Sequence, residues 1–167
     1  FPFAVDANAT DVGDLTQARA YLAGQSSSEN GYSSGGIPDA NTIDKFPFAA
    51  DVNATDVGDL TQGRSTLAGQ SSSENGYSSG GNNATTNVID KFPFAADANA
   101  TDVGDLTQGR EYTAGQSSTE NGYTSGGVGQ TTIDKFPFAT DVNATDVGDL
   151  TQARYSLAGQ SSSESGY

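Results

Sequence analysis

The sequence contains no cysteine, methionine, tryptophan or histidine. Without cysteine there is no disulfide frame and no thiolate metal site. Without histidine or cysteine, the commonest general base and the strongest nucleophile are both missing. Basic residues are scarce: 7 Lys and Arg stand against 21 Asp and Glu, for a net charge of −14. That balance argues against nucleic acid or anionic membrane as a partner, because both are bound by neutralising phosphates. No apolar run approaches the ~18 residues that a membrane span needs, and no signal-peptide pattern is visible.

What is present is one motif written four times. Phe-Pro-Phe-Ala begins at Phe1, Phe46, Phe92 and Phe136, a period of about 45 residues. Each copy continues Asp-x-Asn-Ala-Thr-Asp-Val-Gly-Asp-Leu-Thr-Gln, a small residue and Arg. Ala-Gly-Gln-Ser-Ser and Gly-Tyr follow, and in the first three copies Gly-Gly comes three residues after the Tyr. A unit of this size without disulfides rarely buries enough surface alone. The expectation is one domain, 1–167, of repeats 1–45, 46–91, 92–135 and 136–167, the last completed by the N-terminus. A mean hydropathy of −0.50 and abundant Gly, Ser, Thr and Asn also suit a disordered chain. A disordered spacer, however, has no need to keep Phe, Val, Leu, Tyr and Arg in register.

No 3.6-residue apolar stripe survives in any window, so helix is not expected; the best helical stretch, Asp59–Ala68, has Gly63 in its middle. Four short strands per unit fit instead. In one unit they are Thr66–Ser73, Gly76–Gly80, Val88–Ala95 and Thr101–Leu106. Asn75-Gly76 reads as the hairpin turn after the first, and Pro93 restricts the third to an edge or an irregular end. Four short strands at even spacing suggest a propeller blade.

Tyr32-Ser-Ser-Gly35-Gly36, Phe46, Leu60 and Arg64 come in that order and recur. This set resembles the kelch repeat, which has Tyr-x-x-Gly-Gly closing its second strand, an aromatic on its third, and Leu and Arg before the next unit. The chain departs from kelch in lacking the fourth-strand Trp and in placing Ser or Thr where aliphatics are usual. The resemblance implies an all-β fold: a β-propeller of four-stranded blades, one per repeat. Pairing of residues 156–167 with residues 1–15 would close the ring. Two chains in an eight-bladed ring and an open array are the alternatives.

The sharpest local motif is Asp6-x-Asn8-x-Thr10-Asp11-x-Gly13-Asp14, with copies carrying Asp51, Asn53, Asp56 and Asp59; Asp97, Asn99, Asp102 and Asp105; and Asp141, Asn143, Asp146 and Asp149. Alternating oxygen donors suit a Ca²⁺ loop, and the motif resembles the calcium loops of integrin-type blades. The same residues suit an Asx turn, which needs no ion. Asn-Ala-Thr at Asn8, Asn53, Asn99 and Asn143, and again at Asn83, is also an N-glycosylation sequon. Arg19, Arg64, Arg110 and Arg154 read either as a ring of donors for an anionic or sugar ligand or as structural partners of a repeated Asp, such as Arg64 with Asp59.

The copies differ in the loops Ile37–Thr42, Asn82–Val88 and Val128–Thr132, and in the stretches Ala20–Leu22, Ser65–Leu67, Glu111–Thr113 and Tyr155–Leu157. Such positions often form a binding face, with Tyr21, Tyr112, Tyr155, Asn82 and Asn83 as contacts; drift in exposed loops explains the same differences. Ser-rich strands and carboxylates repeated in every copy offer no single catalytic set. The reading is a non-catalytic structural and recognition module of an extracellular or viral fibre. It binds glycan or protein and self-associates into an oligomer or fibre. Two further readings are a soluble kelch-type interaction module and a Ca²⁺-stabilised or N-glycosylated fibril subunit. The unit also resembles repeats of fibre proteins from aquatic viruses and phages.

Overall fold

Ser72 begins the turn that joins the first two strands of a repeat. Its Oγ accepts hydrogen bonds from the backbone N–H of Glu74 and Asn75, at 3.2 and 2.9 Å. Ser27, Ser118 and Ser162 do the same in the other copies. A serine hydroxyl bonding its own backbone in this way makes a tight turn without glycine. The Asn-Gly pair expected to be the turn lies inside the second strand, and its glycine has another use. A Cβ on Gly76 would lie 2.3 Å from the Phe92 ring, which sits over it from the neighbouring strand.

The computed structural model describes residues 4–38, 40–82 and 86–167. It contains twelve strands: β1 Ala23–Ser26, β2 Asn30–Ser34, β3 Thr42–Pro47, β4 Thr55–Asp59, β5 Ala68–Ser71, β6 Asn75–Ser79, β7 Val88–Pro93, β8 Thr101–Asp105, β9 Ala114–Ser117, β10 Asn121–Ser125, β11 Thr132–Pro137 and β12 Thr145–Asp149. They form three antiparallel four-stranded sheets, β1–β4, β5–β8 and β9–β12, each a simple meander. No helix occurs among the described residues. The four strands expected in the example unit are present, three of them shorter and the second shifted by one residue to Asn75–Ser79, and Pro93 is the last residue of β7. In every sheet the register slips between the Ile and Asp of the third strand. The slip is a bulge that gives the fourth strand one extra residue, Val57, Val103 or Val147.

The sheets follow one another face to face. One core lies between the first two, built on Tyr32, Ile43, Leu60, Leu67 and Phe92; the second, between the last two, has Tyr77, Ile89, Leu106 and Phe136. Burial of each of these large side chains contributes about 1.5–3 kcal/mol. Small polar side chains fill the rest. Gln25 on β1 reaches Ser34 within its own sheet and Ser78 in the next, each at 2.9 Å, and Ser34 Oγ lies 2.8 Å from Ser78 Oγ. These buried hydroxyls and amides are satisfied across the junction, which is how serine substitutes for the usual aliphatics.

The expected ring does not close. Residues 160–167 fold into a small hairpin of their own, with Gln160 and Tyr167 bonded in both directions at 2.9 and 2.8 Å. This hairpin is laid against β9, where the Ser117 N–H donates to Ser161 Oγ at 3.0 Å. Residues 11–16 lie along the first sheet instead: the Ala54 N–H donates to the Asp14 carbonyl at 2.8 Å. Each step adds the next repeat on the same side of the last. The N-terminal segment and the C-terminal hairpin are therefore seated on different sheets, and no contact joins them among the described residues.

Candidate functional site

Arg64 and Arg110 each tie one sheet to the sheet before it. Arg64 Nη1 donates to the carbonyls of Gly80 and Val88, and Nη2 to the Ser78 carbonyl and to Asp90 Oδ2 at 2.9 Å. Both members of the Arg64–Asp90 pair are fully buried. Burial draws the Arg64 pKa below the ordinary guanidinium value, and the Asp90 charge opposes that shift. The Arg64 carbonyl meanwhile accepts from the Gly36 N–H of the preceding sheet at 2.9 Å. Arg19 pairs with Asp44 and Arg110 with Asp134 in the same way. The side chains of Arg19, Arg64 and Arg110 are thus enclosed in protein. The partner is the aspartate of the Ile-Asp-Lys segment, not Asp59. Asp59 lies at the end of β4, while Asp90 is carried on β7 beneath the guanidinium, a placement that sequence distance does not show. Arg154 has an exposed side chain, and its carbonyl accepts from the Gly127 N–H.

The acidic motif is an Asx turn with an inter-repeat clamp. Asp11, Asp56, Asp102 and Asp146 each accept through Oδ1 from the glycine N–H two residues on, at 3.0–3.2 Å. Asn53, Asn99 and Asn143 use Oδ1 to accept the N–H of Asp14, Asp59 and Asp105 in the preceding repeat, at 3.0–3.1 Å. Asp97 and Asp141 pair with Lys45 and Lys91 of the preceding sheet. Asp149 accepts from Thr131 Oγ1 at 2.6 Å. Asp6, Asn8 and Asp51 are exposed. One side-chain oxygen of each turn aspartate and of each clamp asparagine is therefore engaged by a backbone donor. No group of three acidic side chains placed to hold a metal occurs among the described residues. These residues do not fit Ca²⁺. All four Asn-Ala-Thr asparagines at positions 8, 53, 99 and 143 are exposed, while Asn83 lies outside the described residues.

The variable segments come together. Ala20 bridges to Ile37, Ser65 to Asn82, and the Val128 N–H donates to the Glu111 carbonyl at 3.3 Å. The variable loops and the variable stretches thus share one end of the sheets. There the backbone of one repeat bonds the next in a column. The Thr66 N–H donates to the Tyr21 carbonyl, Tyr112 to Thr66, and Ser156 to Tyr112, at 2.8–3.0 Å. All four residues have left-handed backbone, with φ between 54° and 58°. Non-glycine residues rarely adopt this conformation, and it persists where surrounding structure imposes it.

The column gathers aromatic rings from separate repeats. Tyr21 and Tyr112 stand edge to face at 5.9 Å, although a whole repeat separates them in sequence. Tyr112 meets Tyr155 at 6.3 Å in the same manner. Tyr21 is 57 % and Tyr155 64 % exposed. The result is a strip of three tyrosines bordered by exposed polar groups such as Asn82. Sequence reasoning named the three tyrosines but not their contiguity, which depends on the column's tight step. No protein family and no curated protein matches this chain.

Proposed function

We propose that the chain is a non-catalytic structural and recognition module that works outside the cell and holds a neutral glycan against the Tyr21–Tyr112–Tyr155 strip. The contiguity of the three rings carries this reading. Tyrosine offers a flat apolar face to the C–H face of a sugar and a hydroxyl to its polar edge, at little entropic cost. The backbone column holds the rings in place before a ligand arrives, which reduces the ordering cost of binding. A net charge of −14 disfavours anionic sugars and leaves neutral ones. The repeated carboxylates and the Ser-rich strands are engaged in turns and junctions, which supports a binding role over a catalytic one.

The test is titration of the chain with neutral oligosaccharides of glucose, galactose and N-acetylglucosamine, followed by tyrosine fluorescence and NMR shifts. Binding that is lost in Tyr112→Ala, with the circular dichroism spectrum unchanged, is the expected result. No response to any of these sugars overturns the glycan reading; capture of a protein ligand through the same tyrosines would replace it.

A further inference from the structure

Cysteine and methionine are the side chains most readily oxidised, and tryptophan, histidine and tyrosine follow them. This chain has none of the first four and 7 tyrosines. A one-electron oxidant that reaches it therefore has tyrosine as its sink. Tyr32 and Tyr77 are buried against phenylalanine pairs, and a phenylalanine ring, having no hydroxyl, offers no phenoxyl radical to couple with. Among the described residues the tyrosine–tyrosine ring contacts are Tyr21 with Tyr112 and Tyr112 with Tyr155.

The fold brings these rings together from separate repeats. The Thr66 N–H donates to the Tyr21 carbonyl at 2.8 Å, and the Tyr112 N–H to the Thr66 carbonyl at 2.9 Å. Thr66 therefore sits between the two tyrosines in the column, and it is buried. Tyr21 and Tyr112 share a left-handed φ of 57°, so their side chains leave the column alike. Past the short threonine the rings meet, with centroids 5.9 Å apart and planes at 83°. Tyr21 is exposed and Tyr112 half-buried, so an oxidant reaches the pair from solvent. Exposed side chains change rotamer on the ps–ns scale. Rings at this spacing come into bonding contact without movement of the column.

We infer that Tyr21 and Tyr112 form a site of oxidative cross-linking, closed as a dityrosine by a peroxidase-type one-electron oxidant working on hydrogen peroxide. The oxidant takes one electron and the hydroxyl proton from each phenol. The two phenoxyl radicals join through a ring carbon next to the one that bears oxygen. The hydrogen displaced from each of these carbons moves to the oxygen of its own ring. One C–C bond forms, the chain loses two hydrogens, and one hydrogen peroxide is reduced to two waters. Tyr112 couples to Tyr155 by the same route. The bond between Tyr21 and Tyr112 closes a loop of about 90 residues and so restricts the unfolded chain. No sugar takes part, so this inference does not rest on the glycan reading, and either can fail without the other.

The test treats the whole chain, diluted so that chains rarely meet, with a haem peroxidase and hydrogen peroxide. Expected are dityrosine fluorescence, a product of single-chain mass less two hydrogens per bond, and a higher urea midpoint. Cleavage after Lys and Arg should yield peptide 20–45 joined to peptide 111–135, with fragment sequencing placing the bond on Tyr21 and Tyr112. Tyr112→Phe keeps the ring and removes the hydroxyl; it should lose this peptide pair and bring the fluorescence to background. Tyr21→Phe should lose the pair and keep only the bond from Tyr112 to Tyr155. Tyr123→Phe, in the same peptide as Tyr112 but outside the strip, should leave the pair in place. Circular dichroism checks that each variant folds. Absence of dityrosine in the dilute chain overturns the inference. So does coupling only between chains, or a bond that survives Tyr112→Phe or is lost in Tyr123→Phe.

Discussion

The backbone of Gly115 runs so close to that of Gly69 that a Cβ on Gly115 would lie 2.1 Å from the Gly69 carbonyl oxygen. Stacking of successive first strands at this distance is what spaces the repeats. A methyl group there must push two sheets apart. Gly115→Ala should cost about 1–3 kcal/mol or more, the usual cost of overpacking. Gly24→Ala places the same methyl where nothing lies within 4 Å and should leave the unfolding midpoint of the monomer nearly unchanged. Urea denaturation of the two variants at low protein concentration provides the comparison.

Asp90 should be the least replaceable carboxylate. Asp90→Ala leaves the fully buried Arg64 guanidinium without its counter-charge and removes the acceptor for Thr61 Oγ1 and N–H. Breaking one side of a buried pair costs about 3–5 kcal/mol. Lys91→Ala, one residue along, removes only a partly exposed pair with Asp141 and should cost about 0–1 kcal/mol. Equal losses in the two variants would contradict the buried tie described above.

Alkaline pH should loosen the junctions. Tyr32 and Tyr77 have pKa values raised above the ordinary 10.0, chiefly because burial disfavours the phenolate. A raised folded-state pKa means that the unfolded chain loses these protons first. The stability involved is fully present below pH 10.0 and is lost as pH climbs through the folded-state values. Melting temperature should therefore fall above that point, together with the rise of phenolate absorbance. Tyr77→Phe should weaken the dependence.

Chelation should change nothing. Adding EDTA or Ca²⁺ should leave the melting temperature where it was, because the carboxylate and amide oxygens of the acidic motif already accept backbone N–H groups. Asn99→Ala, by contrast, removes the acceptor for the Asp59 N–H and should cost about 0.5–1.5 kcal/mol. A calcium-dependent rise in melting temperature that Asn99→Ala abolishes would restore the cation loop.

Much of this architecture was legible because the repeat displays its own period. Four strands per unit follow from short Ser/Thr/Val-rich runs between turn residues, and Pro93 ends a strand as its missing N–H requires. The Asn-Gly of Asn75-Gly76 misled because the pair has two uses. It is a turn signal where the chain reverses, but here Gly76 is the bare spot beneath the Phe92 ring, and Ser72 makes the turn. The arginine was legible as structural; its partner was not. Asp90 and Asp59 are both repeated aspartates, and only the meander sets one of them under the guanidinium.

Sequence alone determined the unit, its strand content and the absence of helix among the described residues, since these rest on local preference and on a pattern repeated four times. Tertiary structure decided what lies next to what. Whether the array closes depends on the geometry of the step between sheets, which is set by the Gly24–Gly69–Gly115 approach and the Tyr–Phe junctions, not by any local propensity. The same step brings Tyr21 within 5.9 Å of Tyr112. The contacts across it join residues from about 40 to about 90 positions apart, and a chain's local preferences carry no information at that range.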